Sequence, residues 1–173
     1  GSHIDVHLPN GLVRQYSLCN ASHESHRYRI AVLRDLASRG GSVAMHDSVH
    51  EGDVITISTP RNHFALHPAQ RTLLLAGGIG VTPLLCMADR LARTGADFAL
   101  HYCTRSAERT AFAAEIAASA IAPHAHFHFD AGAPEQKLDT AAVLAAPSPD
   151  KRLYVCGPAG FIDHVVTTAK ALG

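Results

Sequence analysis

The sequence predicts two units, a partial antiparallel β-barrel over residues 1–68 and an α/β domain with a parallel sheet over residues 69–173. Two patterns carry that division. Apolar and polar residues alternate with period two through much of the first unit, as in half-buried strands. Beyond it, short unbroken apolar runs alternate with stretches of helical spacing, which marks a parallel sheet covered on both faces. The border falls between Pro60 and Gln70, a stretch with two prolines and few periodic apolar positions.

In the first unit, Ile4, Val6 and Leu8 alternate with Asp5 and His7 and run into the turn Pro9-Asn10-Gly11, so residues 12–18 return as a second strand. Residues 27–33 are expected as a third strand, with Tyr28, Ile30 and Val32 on one face, and residues 54–58 as a fourth after the turn Glu51-Gly52-Asp53. Between them, Arg39-Gly40-Gly41-Ser42 leads into a short helical stretch ending near Val49. In the second unit the expected strands are residues 72–76, 98–103, 124–129 and 153–156. The expected helices are one carrying Leu84, Leu85, Ala88, Leu91 and Ala92 and closing at Gly95, an alanine-rich one over residues 107–120, and two over residues 140–146 and 161–172. Four short strands leave a barrel with open edges, and the parallel unit stops after a helix, so the chain is expected to be part of a longer protein.

Composition narrows the function. With 47% hydrophobic residues a sizeable core is available, and 15 basic against 15 acidic residues give no net charge. That balance argues against nucleic acid or an anionic membrane as partner. No apolar run is long enough to span a bilayer and no signal-peptide pattern opens the chain, so a cytoplasmic location is expected. The four cysteines, at 19, 86, 103 and 156, lack C-x-x-C spacing, which excludes a zinc ribbon and the usual ferredoxin cluster patterns. His124, His126 and His128 share one strand face; they read either as a surface metal patch or as a polar face beside Phe127 and Phe129, and no metal is assigned.

Four motifs carry chemistry. Gly77-Gly78-Ile79-Gly80-Val81-Thr82-Pro83 follows a buried strand and opens a helix, with Thr82 suited to the N-cap and Pro83 to the first helical position. It reads either as a tight strand-to-helix turn or as a pyrophosphate cradle at a helix N-terminus. It is not the Rossmann fingerprint, because Pro83 replaces the third glycine and no acidic residue ends the second strand, which runs into Cys103-Thr104-Arg105-Ser106. Cys156-Gly157-Pro158 would lie beside that loop if the two strands are neighbours. On Arg14-Gln15-Tyr16-Ser17-Leu18, Arg14 and Tyr16 share a face, one suited to a phosphate and the other to a planar ring. Arg39-Gly40-Gly41-Ser42 is either a plain loop or an anion-binding nest.

In this order, R-x-Y-S-L, R-G-G-S, G-G-I-G-V-T-P and Y-V-C-G-P resemble the ferredoxin–NADP reductase superfamily over nearly the whole chain from Ile4 onward. Within it, the chain looks most like the reductase components of Rieske-type oxygenases and demethylases, of the phthalate dioxygenase reductase and vanillate O-demethylase reductase type. The resemblance implies a flavin unit followed by a nicotinamide nucleotide unit. It implies hydride transfer from NADH to FMN, with electrons passed through an iron–sulfur centre to a terminal oxygenase component acting in aromatic catabolism. By resemblance, Arg14, Tyr16 and Ser17 match the flavin strand, and Gly40, Gly41 and Ser42, with Arg34, match the segment around the FMN phosphate. Gly78, Gly80, Thr82 and Pro83 match the nicotinamide nucleotide loop, Thr82 near the flavin contact. Cys156, Gly157 and Pro158 flank the nicotinamide, and Thr104 and Arg105 lie near the adenosine ribose. Thr82 and Cys156 are the candidates at the reacting atoms.

Several departures stand beside this. The four cysteines do not match the [2Fe–2S] domain of such relatives, so that cluster is expected only in a longer form. The usual aromatic residue near the flavin is not found, Leu33 stands where some relatives carry lysine, and Arg105 would also suit the 2′-phosphate of NADPH. Two other functions remain open: a free flavin or ferric reductase of the same superfamily, and a nucleotide-binding module without redox activity. The loop reading also implies that Gly80→Val abolishes nicotinamide binding while leaving the fold near intact.

Overall fold

A computed structural model describes residues 1–146 and 148–173. The first unit holds β1 (Ser2–His7), β2 (Val13–Ser17), helix α1 (Gly41–Ser48), and the two-residue strands β3 (Thr56–Ile57) and β4 (Arg61–Asn62). These strands form one antiparallel sheet in the order β2-β1-β3, with β4 on the other end of β1. Alternation works as expected on β1, where Ile4 and Val6 point inward and join Leu8, Leu18 and Ala44 of α1 in one core. Among the described residues the sheet is an incomplete barrel wall, and β2 pairs only with β1, which leaves it a free edge.

Residues 27–33 do not form the expected strand. They run extended without a ladder, held through Arg29, whose carbonyl accepts from the Cys19 N–H at 2.9 Å and whose N–H donates to Asn20 Oδ1 at 2.9 Å. Alternation reports which side chains face inward, and here Ile30 packs on the core while Tyr28 is exposed. A ladder needs a neighbouring strand as well, which alternation cannot supply.

The second unit follows the predicted alternation: β5 (Arg71–Gly77), α2 (Val81–Arg93), β6 (Phe98–Thr104), α3 (Ala113–Ala117), β7 (Ala125–Phe129), α4 (Thr140–Ala145), β8 (Lys151–Cys156) and α5 (Ala159–Leu172). The four strands are parallel in the order β7-β6-β5-β8. On β5, Leu74 and Ala76 pack with α2, while Leu73 and Leu75 pack with Leu144 of α4 and Val165 of α5. Burial on both faces explains the unbroken apolar run.

Three local expectations are corrected. The alanine-rich stretch 107–120 is not one helix. The hydroxyls of Thr104 and Thr110 both donate to the Ser106 carbonyl, at 3.1 and 2.8 Å, and tie the chain to the end of β6. Phe112 then takes φ +66 to pack on the core, and only the short α3 follows. At the start of α2, Gly80 occupies the cap position, so Thr82 and Pro83 sit two positions further in than expected. Thr82 instead turns its hydroxyl back to donate to the Ile79 carbonyl at 3.2 Å. His124 lies before β7 and stacks on Phe98, away from the other two histidines. His101 joins those two: its Nδ1 is 2.9 Å from His128 Nε2 and its ring stacks on His126 at 4.7 Å.

The expected tolerance of Gly80→Val is also corrected. A Cβ on Gly80 would lie 2.4 Å from the Cys156 carbonyl and 2.5 Å from the Gly157 nitrogen, which is backbone and cannot yield. A Cβ on Gly157 would lie 3.0 Å from the Gly77 backbone, and the Phe161 ring fills the space over Gly77. Gly78, at φ +53, has open space around its Cβ position. Gly80→Ala is therefore expected to lower unfolding free energy by about 3 kcal/mol, the upper end of overpacking costs. Gly78→Ala, with only its left-handed conformation to strain, is expected to lose about 1 kcal/mol. Urea unfolding of both variants checks this order.

Burial, reinforced by His126, His128 and Arg71, holds the His101 imidazole down at about 4, and His128 is lowered as well. The neutral rings thus favour the folded state fully above the ordinary histidine pKa, and that stability is lost as pH falls from about 6.5 through about 4. The thermal midpoint is expected to drop across that window, and His101→Phe is expected to flatten the drop.

Candidate functional site

The interlocked strand ends place the glycine loop and the Cys156 turn side by side, at the carboxyl edge of the parallel sheet where open α/β folds bind ligands. Opposite them stands β2 with the segment leading into α1. Between the two units lies a cavity of about 540 Å³. It is lined by Arg14, Tyr16 and Ser17 of β2, by Ser42 of α1, by Gly80, Thr82 and Pro83, and by Cys156, Gly157 and Pro158. Gln15 lines it too, so β2 meets the cavity with its free edge rather than with one face.

Gly40 and Gly41 lie just behind this lining. Gly40 caps α1 at φ +98, a conformation that suits glycine, and Gly41 begins the helix. The Arg14 side chain lies directly on Gly41, where any Cβ would come within 2.5 Å of Nε. No side chain caps the first turn of α1, so its N–H groups point outward unpartnered by the usual device. The Arg14 guanidinium donates to the Val13 carbonyl at 3.0 Å and pairs with no carboxylate among the described residues. Ser42 Oγ accepts from the Asp35 N–H at 3.1 Å, which leaves its proton free to donate outward. A free guanidinium, a helix N-terminus and a hydroxyl form a donor set suited to a phosphate.

The remaining sequence-predicted residues fall elsewhere. Arg34 pairs with Asp47 at 2.5 Å on the surface, outside the cavity. Gly78 sits at the end of β5 with open space above it. Thr104 is buried, its hydroxyl 2.7 Å from that of Thr110, and anchors the loop after β6. Arg105 is exposed next to it. Burial raises the Cys156 thiol above its ordinary pKa, so it faces the cavity as a neutral, weakly polar group and not as a nucleophile.

A second cavity, of about 710 Å³, adjoins the first and shares Ala31, Leu33 and Ile79 with it. Its walls are Arg29 and residues 31–33 of the first unit, and Ile79 and residues 110–115 of the second. Sequence reasoning named Arg39 in its motif but missed residues 110–115 of the second cavity and Asp35, Ala37 and Ser38 of the first. The period-two pattern of residues 27–33 was the signal for that wall, but it reads as an ordinary strand until its neighbours are known. Among the described residues no group of three histidine, cysteine or acidic side chains is arranged to hold a metal. No helix among the described residues is long and apolar enough to cross a membrane.

No protein-family model matches the chain. Curated relatives do. Vanillate O-demethylase oxidoreductase of Pseudomonas putida is 58% identical over 174 residues, covering all of this chain and 55% of its own length. Phthalate dioxygenase reductase of Burkholderia cepacia is 42% identical over 167 residues, covering 95% of this chain and 52% of its own length. The chain thus spans about half the length of the curated relatives it matches. Among solved structures, a phthalate dioxygenase reductase, described as modular for electron transfer from pyridine nucleotides to [2Fe–2S], superposes with a TM-score of 0.92 at 40% identity. It covers all of this chain, and the match takes in 55% of the solved one. The FAD/NAD binding domain of a nitric oxide dioxygenase from Vibrio cholerae superposes at 0.83 with 29% identity, covering 99% of this chain and 78% of its own. The chain is a close homologue of the vanillate O-demethylase and phthalate dioxygenase reductases over its whole length and shares their ferredoxin–NADP reductase-like fold.

Proposed function

We propose that this chain is the flavin- and nicotinamide-binding core of an oxygenase reductase, which takes hydride from NADH onto FMN. In this reading the electrons then pass through an iron–sulfur domain beyond this chain to a Rieske-type terminal oxygenase or demethylase. The observation that carries the proposal is the convergence of Arg14, the N-terminus of α1 and the carboxyl ends of β5 and β8 on one cavity continuous with a second. The identity to oxygenase reductases over the whole chain supports it. Residues 1–68 are proposed as the flavin unit and 69–173 as the nucleotide unit, in keeping with a first sheet that ends at Asn62 and a second that begins at Arg71.

Bound flavin supplies the exchange between a two-electron hydride donor and one-electron acceptors. The chain's own residues bind, orient and shield. Arg14, Ser42 and the amides of Gly41 and Ser42 hold the FMN phosphate. Tyr16 and the free edge of β2 border the ring, where backbone groups without a strand partner are available to a polar ring edge. Gly78 keeps the loop clear for a pyrophosphate, Gly80 lets the loop close against Cys156, and Thr82 and Pro83 close the side of the cavity toward the ring. The neutral Cys156 with Gly157 and Pro158 lines the nicotinamide position and keeps water from it. Thr104 secures the loop on which Arg105 faces the adenosine ribose, and Arg34 supports α1 from outside through Asp47.

Anaerobic addition of NADH to the chain supplied with FMN tests the reading, with the flavin absorbance band as readout. Bleaching faster than in a protein-free control is expected; bleaching at the control rate overturns it. Arg14→Ala is expected to weaken FMN binding about ten- to a hundredfold, the worth of a hydrogen bond to a charged group. Riboflavin, which lacks the phosphate, is expected to bind the variant and the wild type alike. Equal losses for both ligands would place Arg14 at the ring instead of at the phosphate.

A further inference from the structure

We infer that Arg29, Phe112 and Glu115 form a latch between the two units that positions the wall of the second cavity and thereby sets how tightly a nucleotide is held there. The inference rests on the nucleotide-binding reading above and adds positioning residues to it. Arg29 belongs to the extended segment that lacks a ladder, yet its backbone is firmly held. Its N–H donates to Oδ1 of the buried Asn20 at 2.9 Å, and its carbonyl accepts from the Cys19 N–H at 2.9 Å. Asn20 also donates through Nδ2 to the Arg27 carbonyl at 3.2 Å. The base of the Arg29 side chain is thus fixed in the first unit.

Its head reaches the second. The guanidinium donates to Glu115 Oε1 at 2.5 Å and lies 5.2 Å above the centre of the Phe112 ring. Among the described residues this is the one arginine–carboxylate pair that crosses between the units; His23 and Asp89, at 3.9 Å, also cross, but with charge only when the imidazole is protonated. Phe112 is the one described residue other than glycine with positive φ, a strained conformation that persists only where its surroundings hold it. The aromatic face under the cation supplies part of that hold.

The placement gives the pair a role beyond stability. Arg29, Phe112 and Glu115 line the second cavity on one side and a smaller cavity of about 180 Å³ on the other, so they are the partition between the two. Both charged side chains are well exposed, 38% and 54%, and such a pair adds little to global stability. α3 spans only five residues and anchors itself through Ile116. Thr110 is tied to the end of β6 and Ile116 to the core, so the contacts from across the border act on Phe112 and Glu115 between those two anchors.

Two measurements, neither dependent on flavin turnover, test the latch. The first is amide hydrogen exchange of residues 110–117, and the second is calorimetric binding of ADP-ribose, which carries the pyrophosphate and adenosine but no nicotinamide. In Glu115→Gln and Arg29→Gln, exchange is expected to rise severalfold and ADP-ribose affinity to fall about fivefold, a loss on the scale of one exposed ion pair. The swap Arg29→Glu with Glu115→Arg is expected to recover part of both, and Arg27→Gln, whose partner Glu24 is in its own segment, to change neither. Unchanged exchange, or faster exchange with unchanged affinity, in folded variants overturns the latch and leaves the functional reading standing. A wild-type chain that binds no ADP-ribose overturns the nucleotide reading itself, and the inference with it.

Discussion

The site depends on a close approach of two backbones. Gly80 rests on the carbonyl of Cys156 and the nitrogen of Gly157, and Gly157 rests on Gly77. Only residues without Cβ permit that approach. It brings the ends of β5 and β8 together so that the glycine loop, Thr82 and Pro83 share one cavity wall with Cys156 and Pro158. Phe161, from the first turn of α5, fills the remaining space over Gly77, so the helix after β8 braces the loop after β5. The chemistry of one strand end is thus held by the packing of another.

Electrostatics in this molecule are local. The chain has no net charge, and among the described residues half of the arginines are paired with carboxylates at the surface, where such pairs contribute little. Arg14 differs. It lies against the open N-terminus of α1 with no carboxylate partner among the described residues, so its positive field and that of the helix add at one point. Facing it across the cavity stands the neutral Cys156. An anion at one end and a neutral wall at the other suit a ligand with a charged tail and a planar head. The histidine cluster on β6 and β7 is a separate matter: with His101 buried and stacked on its neighbours, it ties stability to acid pH without taking part in the cavity.

Much of this was legible in the chain because the signals are short-range. The unbroken apolar run of β5, the glycine loop after it and the helical spacing of α2 each depend on neighbours within about two turns, and they predict parallel strand, turn and helix in place. The R-x-Y-S-L and R-G-G-S motifs likewise show their phosphate and ring chemistry locally, though what sets them around one cavity is tertiary. The failures have the opposite cause. Residues 27–33 alternate as a strand does, but the partner that would make them one is absent. Residues 107–120 are rich in helix formers, but hydroxyls of Thr104 and Thr110 and the inward turn of Phe112 outweigh propensity.

By itself the sequence determined the order of elements, the division into an antiparallel and a parallel unit, and the residue types available for phosphate, ring and nucleotide. Those follow from periodicity and from the side-chain chemistry of contiguous motifs. Only the tertiary structure decided that Gly80 is closed against Cys156 while Gly78 is open, that Arg14 lies on Gly41, and that Arg29 reaches Glu115 across 86 positions of chain. Distances of that kind arise from how sheets and helices pack, and packing joins residues that no local pattern connects.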